Sequence, residues 1–347
     1  NVKATFVGRK LTGSESSEAK ITSFIIDDEA VVEQPVINEE AGTIVFAVNE
    51  EVESLKFTPI IEISEGATIT PASGVAQDFS NNKKVTYTVT AEDGTVKVYT
   101  AFVEGTRKVL KYSFEDWKEG TKNDELLPKD LWAGSAAGAG ILGGTLLRKE
   151  TREDGTYAAK LITFEYPNEL NSLVVPKITA GSIFIGKFDM MPALQGDRLS
   201  CTKFGLDAET VSLGGKPLRF KGVYKYESGS NYLDASNYED VKPVDIKDKG
   251  QIQAVLYKVQ TGEDGKEIVL TGHDVNTSEL RVAVANIIVE DIKEYTPFNI
   301  EFEYLQEYDR TAKYKFAIIC SSSKDGDLFK GAGGSTLIVD EFEVICE

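Results

Sequence analysis

The stretch of sequence that decides the fold is residues 85–99, Val-Thr-Tyr-Thr-Val-Thr-Ala-Glu-Asp-Gly-Thr-Val-Lys-Val-Tyr. Two segments in which large apolar residues alternate with Thr or Lys flank the pair Asp93-Gly94. This is the pattern of two half-buried strands joined by a tight turn, because Gly accepts the positive φ that such a turn requires. The stretch therefore predicts a β-hairpin.

Similar short runs precede the hairpin. Residues 21–26, 43–48 and 55–63 are rich in Val, Ile, Thr and Phe, and the hairpin itself adds strands at 85–91 and 96–103. Because no helical period interrupts them, we predict an immunoglobulin-like β-sandwich over residues 21–105. Residues 1–20 are polar and have no sustained period, so they are predicted to be a leader or tether.

Residues 106–347 follow the same pattern with longer loops. In the run 298–305, Phe298 and Phe302 alternate with Asn299 and Glu301, as a sheet with one buried and one wet face requires. Strands are predicted at 109–114, 158–166, 182–189, 219–226, 253–260, 267–271, 298–305, 313–321 and 336–345. Since no convincing helix lies between them, we predict a larger jelly-roll β-sandwich over 106–347 and an all-β chain.

Charge and composition exclude several classes of function. Lys and Arg total 38 against 56 Asp and Glu, and the net charge of −18 repels nucleic-acid phosphates and anionic lipid surfaces. No apolar run is long enough to span a membrane. Because His273 is the only histidine, a multi-histidine metal site is excluded. Cys201, Cys320 and Cys346 lie far apart and form no C-x-x-C motif, so we expect them to be buried thiols. Because the chain opens on Asn1 instead of Met, we expect a trimmed mature form.

Motifs for catalysis or cofactor binding are weak. Residues 138–143 fit the dinucleotide pattern G-x-G-x-x-G, but small residues surround them where a strand and a helix are needed, so a loop is predicted. Glu301 and Glu303 project from a wet strand face, which a glycosidase pair could use and which any solvated strand also shows. We predict no catalytic residue.

Aromatic residues in the second part are more suggestive. Flat rings with polar tips suit sugars, whose faces are apolar and whose rims carry hydroxyls. The candidate carbohydrate-binding residues are Trp132, Tyr224, Tyr226 and Tyr232 for stacking, with Arg219 and Lys225 as polar partners. Tyr224 and Tyr226 share a strand face with Phe220, so a core position is equally consistent with the pattern.

Longer segments carry a family resemblance. They are Tyr-Ser-Phe-Glu-Asp-Trp at 112–117, Tyr-Ala-Ala-Lys-Leu at 157–161, Gly-Ser-Ile-Phe-Ile-Gly at 181–186, Gly-Val-Tyr-Lys-Tyr at 222–226, Ser-Ser-Ser-Lys-Asp-Gly at 321–326, Phe-Lys-Gly-Ala at 329–332 and Ser-Thr-Leu-Ile-Val-Asp-Glu at 335–341. With these segments, residues 109–347 resemble the putative carbohydrate metabolism domain family, found on surface proteins of glycan-degrading gut bacteria. Gly-Ala-Thr-Ile-Thr-Pro at 66–71, Gln-Asp-Phe at 77–79 and Tyr-Thr-Val-Thr-Ala-Glu-Asp-Gly at 87–94 resemble bacterial immunoglobulin-like modules.

The resemblance implies a jelly roll like that of carbohydrate-binding modules. It also implies an exported protein at the cell surface or in the periplasm, lipid-anchored and part of a polysaccharide-utilisation system. The implied partners are polysaccharide or oligosaccharide and other surface glycan-utilisation proteins.

A structural Ca²⁺ is implied by the same resemblance. Jelly-roll carbohydrate-binding modules often hold one through a Glu in a Phe-Glu step and an Asp in a Val-Asp step, and Phe114-Glu115 and Val339-Asp340 have that form. Carboxylate oxygens suit Ca²⁺. Glu115 and Asp340 are therefore the expected ligands, and the alternative is a pair of exposed acids.

Together these features predict non-catalytic binding of complex carbohydrate at a bacterial cell surface. A glycoside hydrolase or lyase that uses a carboxylate pair on the same fold is one alternative. A structural or adhesive surface protein with a protein partner is another, because a fold does not fix a function.

Overall fold

The computed structural model describes residues 15–139, 142–172 and 175–347, and the chain divides into two compact units after Val109. Residues 1–14 of the predicted leader, and Gly140 and Ile141 of the glycine motif, lie outside the described residues. The end of the predicted leader belongs to the first unit, since Ala19 is buried in its core and the backbone N–H of Lys20 donates to Ser64 Oγ at 3.0 Å.

The first unit is a β-sandwich. Its strands are β1 (Ile21–Ile25), β2 (Val31–Asn38), β3 (Thr43–Asn49), β4 (Lys56–Phe57), β5 (Ile60–Ile63), β6 (Thr68–Thr70), β7 (Gln77–Asp78), β8 (Val85–Thr90) and β9 (Val96–Tyr112), of which β9 continues into the second unit. One sheet has the order β2-β3-β9-β8-β6, with β3 and β9 parallel and the other pairs antiparallel, while β1 pairs with β5 and β4 with β7.

The predicted hairpin is confirmed. Strands β8 and β9 pair antiparallel with Thr90 opposite Val96, and Gly94 in the connecting turn has φ of +92°. Their inward side chains pack in a core with Phe46 and Phe79, whose ring centroids lie 5.1 Å apart, edge to face. Such pairs add about 1 kcal/mol beyond the area that they bury.

The second unit contains the remaining strands and only short helices. The strands are β10 (Trp117–Lys118), β11 (Glu125–Leu126), β12 (Trp132–Gly134), β13 (Leu147–Thr151), β14 (Tyr157–Ile162), β15 (Phe164–Glu165), β16 (Ile178–Thr179), β17 (Ser182–Phe188), β18 (Thr202–Phe204), β19 (Leu206–Asp207), β20 (Pro217–Glu227), β21 (Tyr232–Asp234), β22 (Lys242–Pro243), β23 (Gly250–Lys258), β24 (Leu270–Thr271), β25 (Arg281–Val289), β26 (Ile292–Glu301), β27 (Glu303–Tyr304), β28 (Tyr314–Ser321), β29 (Lys330–Ala332) and β30 (Thr336–Cys346). The helices are α1 (Ala136–Ala139) and α2 (Met191–Leu194), with 3₁₀ turns at Asn168–Leu170, Leu199–Cys201 and Gly326–Leu328. None of the helices in the described ranges is long and apolar enough to cross a bilayer.

Two antiparallel sheets face each other in this unit. The β28 sheet has the order β24-β18-β17-β28-β23-β25-β27, and the β30 sheet has the order β13-β14-β30-β20-β26. Between them lies the main core, in which Phe342 packs edge to face against Phe220 and Phe298 at centroid distances of 5.0 and 5.7 Å. This is the predicted jelly-roll sandwich.

Alternation along the β28 sheet gives it two different faces. In β23, Ile252 and Leu256 point into the main core, while Val255 and Tyr257 belong to a separate apolar cluster on the outer face. Successive side chains of a strand point to opposite faces, so Gln253 also lies on the outer face. The outer face of the β28 sheet is thus built from its own mixture of apolar and polar residues.

Most predicted strands are present. The run 298–305 has the expected burial pattern, with Phe298 and Phe302 buried and Asn299 exposed, but the predicted strand is divided between β26, which ends at Glu301, and β27. The predicted strand 267–271 is reduced to β24, because Ile268 instead closes a turn through its backbone N–H to Gln260 O at 2.8 Å. Strands β2, β13 and β25, together with several strands of two or three residues, were not predicted.

Candidate functional site

A cavity of about 200 Å³ lies on the outer face of the β28 sheet. Its floor comes from three adjacent strands, with Ser182 on β17, Gln251 and Gln253 on β23, and Ile319 and Ser321 on β28. Because these residues alternate with side chains that fill the main core, the cavity is fixed to the rigid centre of the sheet.

The walls of the cavity come from loops that are distant in sequence. They include Ser135, Tyr166, Thr179, Phe188, Met190, Arg198, Leu199, Val275, Asn276, Lys324, Asp327 and Phe329. Most of this surface is apolar, and a few hydrogen-bonding groups interrupt it. That combination suits a ligand with flat apolar faces and a polar rim.

One wall carries a short chain of polar contacts. Gln253 is only 4% exposed, and its Nε2 donates to Asn276 Oδ1 at 3.3 Å. Asn276 Nδ2 donates in turn to Asp327 Oδ2 at 3.4 Å. Burial raises the pKa of Asp327, and the charge of Asp325 acts in the same direction. The long final contact leaves oxygen positions of Asp327 available to accept hydrogen bonds from a ligand.

The other notable polar group is the guanidinium of Arg198. Its central carbon lies 4.0 Å from the centre of the Phe329 ring, the distance of a cation–π contact. Its Nη1 atom is buried and has no hydrogen-bond partner within the described part of the chain. Burial lowers the pKa of this guanidinium, but an arginine side chain stays protonated in proteins. The cavity therefore contains a cation with an unused donor.

Three of the aromatic residues predicted to stack on sugar are buried. Trp132 is 7% exposed and packs against Phe114 at a centroid distance of 5.3 Å. Tyr226 is 2% exposed and donates its hydroxyl to Ser322 O at 3.0 Å. Tyr232 is 4% exposed and donates its hydroxyl to the carboxylate of Asp325 at 2.9 Å. Protein covers these rings in the structure, so we assign Trp132, Tyr226 and Tyr232 to packing.

The other predicted sugar contacts lie on β20 of the β30 sheet, and none lines the cavity. Arg219 donates to Asn299 Oδ1 at 2.7 Å and to Glu301 Oε1 at 2.8 Å. Lys225 Nζ lies 4.1 Å from the centre of the Tyr295 ring. Tyr224 is half-buried, with its ring 6.3 Å from that of Phe298. The structure thus separates the predicted residues from the cavity.

The predicted carboxylate pair is divided between the sheets. Glu301 ends β26 in the β30 sheet, whereas Glu303 begins β27 in the β28 sheet. Both side chains are exposed, and neither lines the cavity. Glu301 is also already paired with Arg219.

The expected calcium ligands, Glu115 and Asp340, are occupied by donors from the protein. Asp340 Oδ2 accepts from Arg152 Nη1 at 2.5 Å, and its Oδ1 accepts from the backbone N–H of Glu341 at 2.8 Å. Both oxygens of Glu115 face the backbone N–H of Tyr157, at 3.1 and 3.2 Å. A guanidinium in the ligand shell repels a cation, so the residues present do not fit Ca²⁺. No group of three or more metal-ligating side chains occurs in the ranges that the structure describes.

The three cysteines are buried, as predicted, and none of them forms a disulfide among the described residues. Cys201 lines the cavity, and burial raises the pKa of its thiol. A thiol with a raised pKa is a poor nucleophile at neutral pH, so Cys201 serves as a small apolar side chain.

A β-sandwich with an apolar cavity and a few fixed polar groups is the architecture of a ligand-binding β domain. Residues 89–345 match the family described as "Putative carbohydrate metabolism domain", and residues 21–103 match the one described as "SGBP, N-terminal". The chain belongs to the putative carbohydrate metabolism domain family, as the sequence predicted.

Two solved structures are similar to this chain. A crystal structure described as a putative glycoside hydrolase from Bacteroides thetaiotaomicron is 30% identical, with a TM-score of 0.59, and the match covers 98% of this chain and 99% of that one. A second, described as a putative glycoside hydrolase from Bacteroides vulgatus, is 28% identical with a TM-score of 0.56, covering 69% of this chain and 98% of that one. A comparison with curated proteins found no match.

The polar residues that line the cavity were not predicted. Arg198, Gln253, Asn276 and Asp327 come from separate segments, and only the order of the strands brings them together. One signal was available in the sequence. Gln253 interrupts the apolar run Ile-Gln-Ala-Val-Leu-Tyr at 252–257, and a buried amide needs a partner.

Proposed function

We propose that the chain binds complex carbohydrate in the cavity on the outer face of the β28 sheet and does not cleave it. The observation that carries the proposal is the composition of the cavity. Apolar side chains such as Phe188 and Leu199 stand beside hydrogen-bonding groups from Gln253, Asn276 and Asp327. Apolar contact with the faces of a sugar ring and hydrogen bonds to its hydroxyls need both kinds of group. The family to which the chain belongs supports carbohydrate as the ligand.

The carboxylates of the cavity support binding without cleavage. Glycoside hydrolysis ordinarily needs two carboxyl groups about 5 to 9 Å apart, on either side of the bond that breaks. Asp327 is the only Asp or Glu among the described residues that line the cavity. A sugar bound there would meet one carboxyl group and no second one.

A glycoside hydrolase is the second candidate function, and one observation favours it. Burial raises the pKa of Asp327, and a carboxyl group that holds its proton at higher pH is what a general acid needs. Two similar proteins are described as putative glycoside hydrolases. The two candidates share the cavity and differ in whether the bound glycan is cut.

We place this activity at a bacterial cell surface. The match of residues 21–103 to the "SGBP, N-terminal" family supports that location. The first unit would act as a spacer that holds the binding unit away from the surface.

The test starts from a glycan array probed with the purified chain. The best-bound glycan is then titrated calorimetrically into the wild-type chain, the Gln251→Trp variant and the Lys221→Gln variant. Gln251 lies on the cavity floor, so a Trp there fills the space, whereas Lys221 lies on the β30 sheet, paired with Glu343. We expect Gln251→Trp to abolish binding and Lys221→Gln to leave it unchanged.

The same glycan is incubated with the wild-type chain while new reducing ends are measured. If the glycan binds and no new reducing ends appear, the proposal is supported. If new reducing ends appear and their release depends on Asp327, the chain is a glycoside hydrolase instead. A chain that binds no glycan, or a Gln251→Trp variant that binds as well as the wild type, overturns the cavity as a carbohydrate site. Binding to a protein that survives removal of all glycan would support an adhesive role instead.

A further inference from the structure

The half-buried Arg198 differs from the buried lysines Lys177 and Lys315 in its partners. Lys177 pairs with Glu165 at 3.0 Å, and Lys315 pairs with Glu267 at 3.0 Å. Within the described residues, the side chain of Arg198 forms no ion pair, its Nη1 has no hydrogen-bond partner, and its guanidinium lies over the Phe329 ring. Acids outnumber bases by 56 to 38, so the lack of a partner is not due to scarcity.

The acids closest to Arg198 in sequence and in the cavity are engaged elsewhere. Oδ1 of Asp197 lies 2.7 Å from His273 Nε2. Asp327 accepts from Asn276 and makes no ion pair with Arg198. The protein therefore holds the guanidinium in place without neutralising it.

A half-buried charge without a counter-charge costs free energy, because part of the water that would solvate it is excluded. A folded protein that keeps such a charge in a ligand cavity gains from it when a ligand supplies the opposite charge. The guanidinium is planar and forked, which matches the oxygens of a carboxylate or a sulfate. Stacking on Phe329 engages a face of the guanidinium and uses none of its in-plane N–H groups.

We propose that the glycan bound in this cavity is acidic, and that Arg198 binds its anionic group, a uronate carboxylate or a sulfate ester. This inference rests on the proposed function and names the class of ligand for the same cavity. The net charge of −18 repels anions at long range, so a preference for an acidic glycan has to come from the cavity itself.

The experiment uses matched pairs of probes on the whole chain. The first pair is oligogalacturonate and its carboxyl-reduced product, and the second is carrageenan, a sulfated galactan without uronate, and its desulfated form, so that the second member of each pair is neutral. Calorimetric titrations are made with the wild type, Arg198→Gln and Arg310→Gln. Arg310 is an exposed arginine paired with Glu347 far from the cavity lining, so its replacement controls for the loss of one positive charge.

We expect the wild type to bind the charged member of one pair about tenfold or more tightly than the neutral member, the size of a charge-assisted hydrogen bond. Arg198→Gln should abolish that preference, and Arg310→Gln should keep it. The pair that shows the preference identifies carboxylate or sulfate as the anionic group. Without ligand, Arg198→Gln should melt at the same temperature as the wild type or higher, since a purely structural arginine would destabilise the fold when replaced.

Two results would overturn the inference while leaving the proposed function in place. One is that only neutral glycans on the array bind to the chain and that Gln251→Trp abolishes this binding. The other is an equal preference for the charged probe in Arg198→Gln and the wild type. Failure to bind any glycan, charged or neutral, would instead remove the proposed function together with the inference.

Discussion

The outer faces of the two sheets in the second unit differ at one charged residue. On the β30 sheet, Arg219 pairs with Glu301 at 2.8 Å and Lys221 with Glu343 at 3.0 Å. On the β28 sheet, Lys315 pairs with Glu267 at 3.0 Å, but Nη1 of Arg198 in the cavity wall has no partner among the described residues. We therefore take unused donors and acceptors, rather than residue type, as the guide to the proposed binding surface.

The largest effect, on stability, is expected from breaking an ion pair of the β30 sheet. Arg152→Met removes the guanidinium that binds the buried carboxylate of Asp340. We expect the free energy of unfolding to fall by about 2 kcal/mol at pH 7, because a hydrogen bond between charged groups is lost and a buried carboxylate is left unpaired. Denaturant unfolding measures this, with the exposed Arg310→Met as control, and glycan binding should persist.

The loss of stability in Arg152→Met should also depend on pH, and the direction of that dependence follows from the pKa of Asp340. Burial already raises the pKa of Asp340 above its usual value, while Arg152 lowers it. Without Arg152 the folded-state pKa rises further, so the folded protein binds a proton more tightly than the unfolded chain does. The loss in the free energy of unfolding, relative to the wild type, should therefore be complete above that raised pKa and should shrink as the pH falls through it. A deficit that grows toward acid pH would contradict the assigned pairing.

The next effect concerns the polar wall of the cavity. Asn276→Ala removes the amide between Gln253 and Asp327, and we expect about tenfold weaker glycan binding. Calorimetry measures the loss, and a thermal melt serves as the folding control. Binding within twofold of wild type would show that this wall does not contact the glycan.

A smaller effect is expected for the residues that the sequence favoured. Arg219→Ala and Lys225→Ala remove side chains whose contacts are with Glu301 and Tyr295. We expect glycan affinity to change by less than twofold and stability by about 0.5 kcal/mol, since exposed ion pairs contribute little. A tenfold loss of affinity in either variant would move the site to the β30 sheet and reverse the comparison of the two faces.

No effect is expected from calcium. Because Arg152 occupies the carboxylate of Asp340, the melting temperature should be equal in excess Ca²⁺ and in chelator. A rise of several degrees in Ca²⁺ that is lost in Asp340→Asn would restore the metal site that the Phe114-Glu115 and Val339-Asp340 steps suggested.

Patterns confined to one segment were sufficient to predict much of the fold. The hairpin of β8 and β9 and the alternation of residues 298–305 depend on side chains a few positions apart, and both were predicted. Strand β25 was missed because protein covers both faces of its first half, residues 282–285. Ala283 packs in the main core and Val284 against the outer cluster, so the strict alternation that indicates a half-buried strand is absent.

The candidate site was not predictable in the same way. Arg198, Asn276 and Asp327 come together only because β17, β28 and β23 are neighbours in one sheet, and strand order is not visible in sequence spacing. Residue type also misled, since Trp132 and Tyr226 combine a ring with a polar tip whether they face a sugar or fill a core.

Strand β30 has a consequence for how the second unit folds. Its residues 336–346 lie between β14, at 157–162, and β20, at 217–227, and hydrogen-bond to both. During synthesis, β14 and β20 are complete long before their shared neighbour emerges. Each then exposes an unpaired edge that invites wrong pairing. Sheets closed by contacts this distant in sequence fold slowly, so chaperone protection should matter most while residues 228–335 are being made.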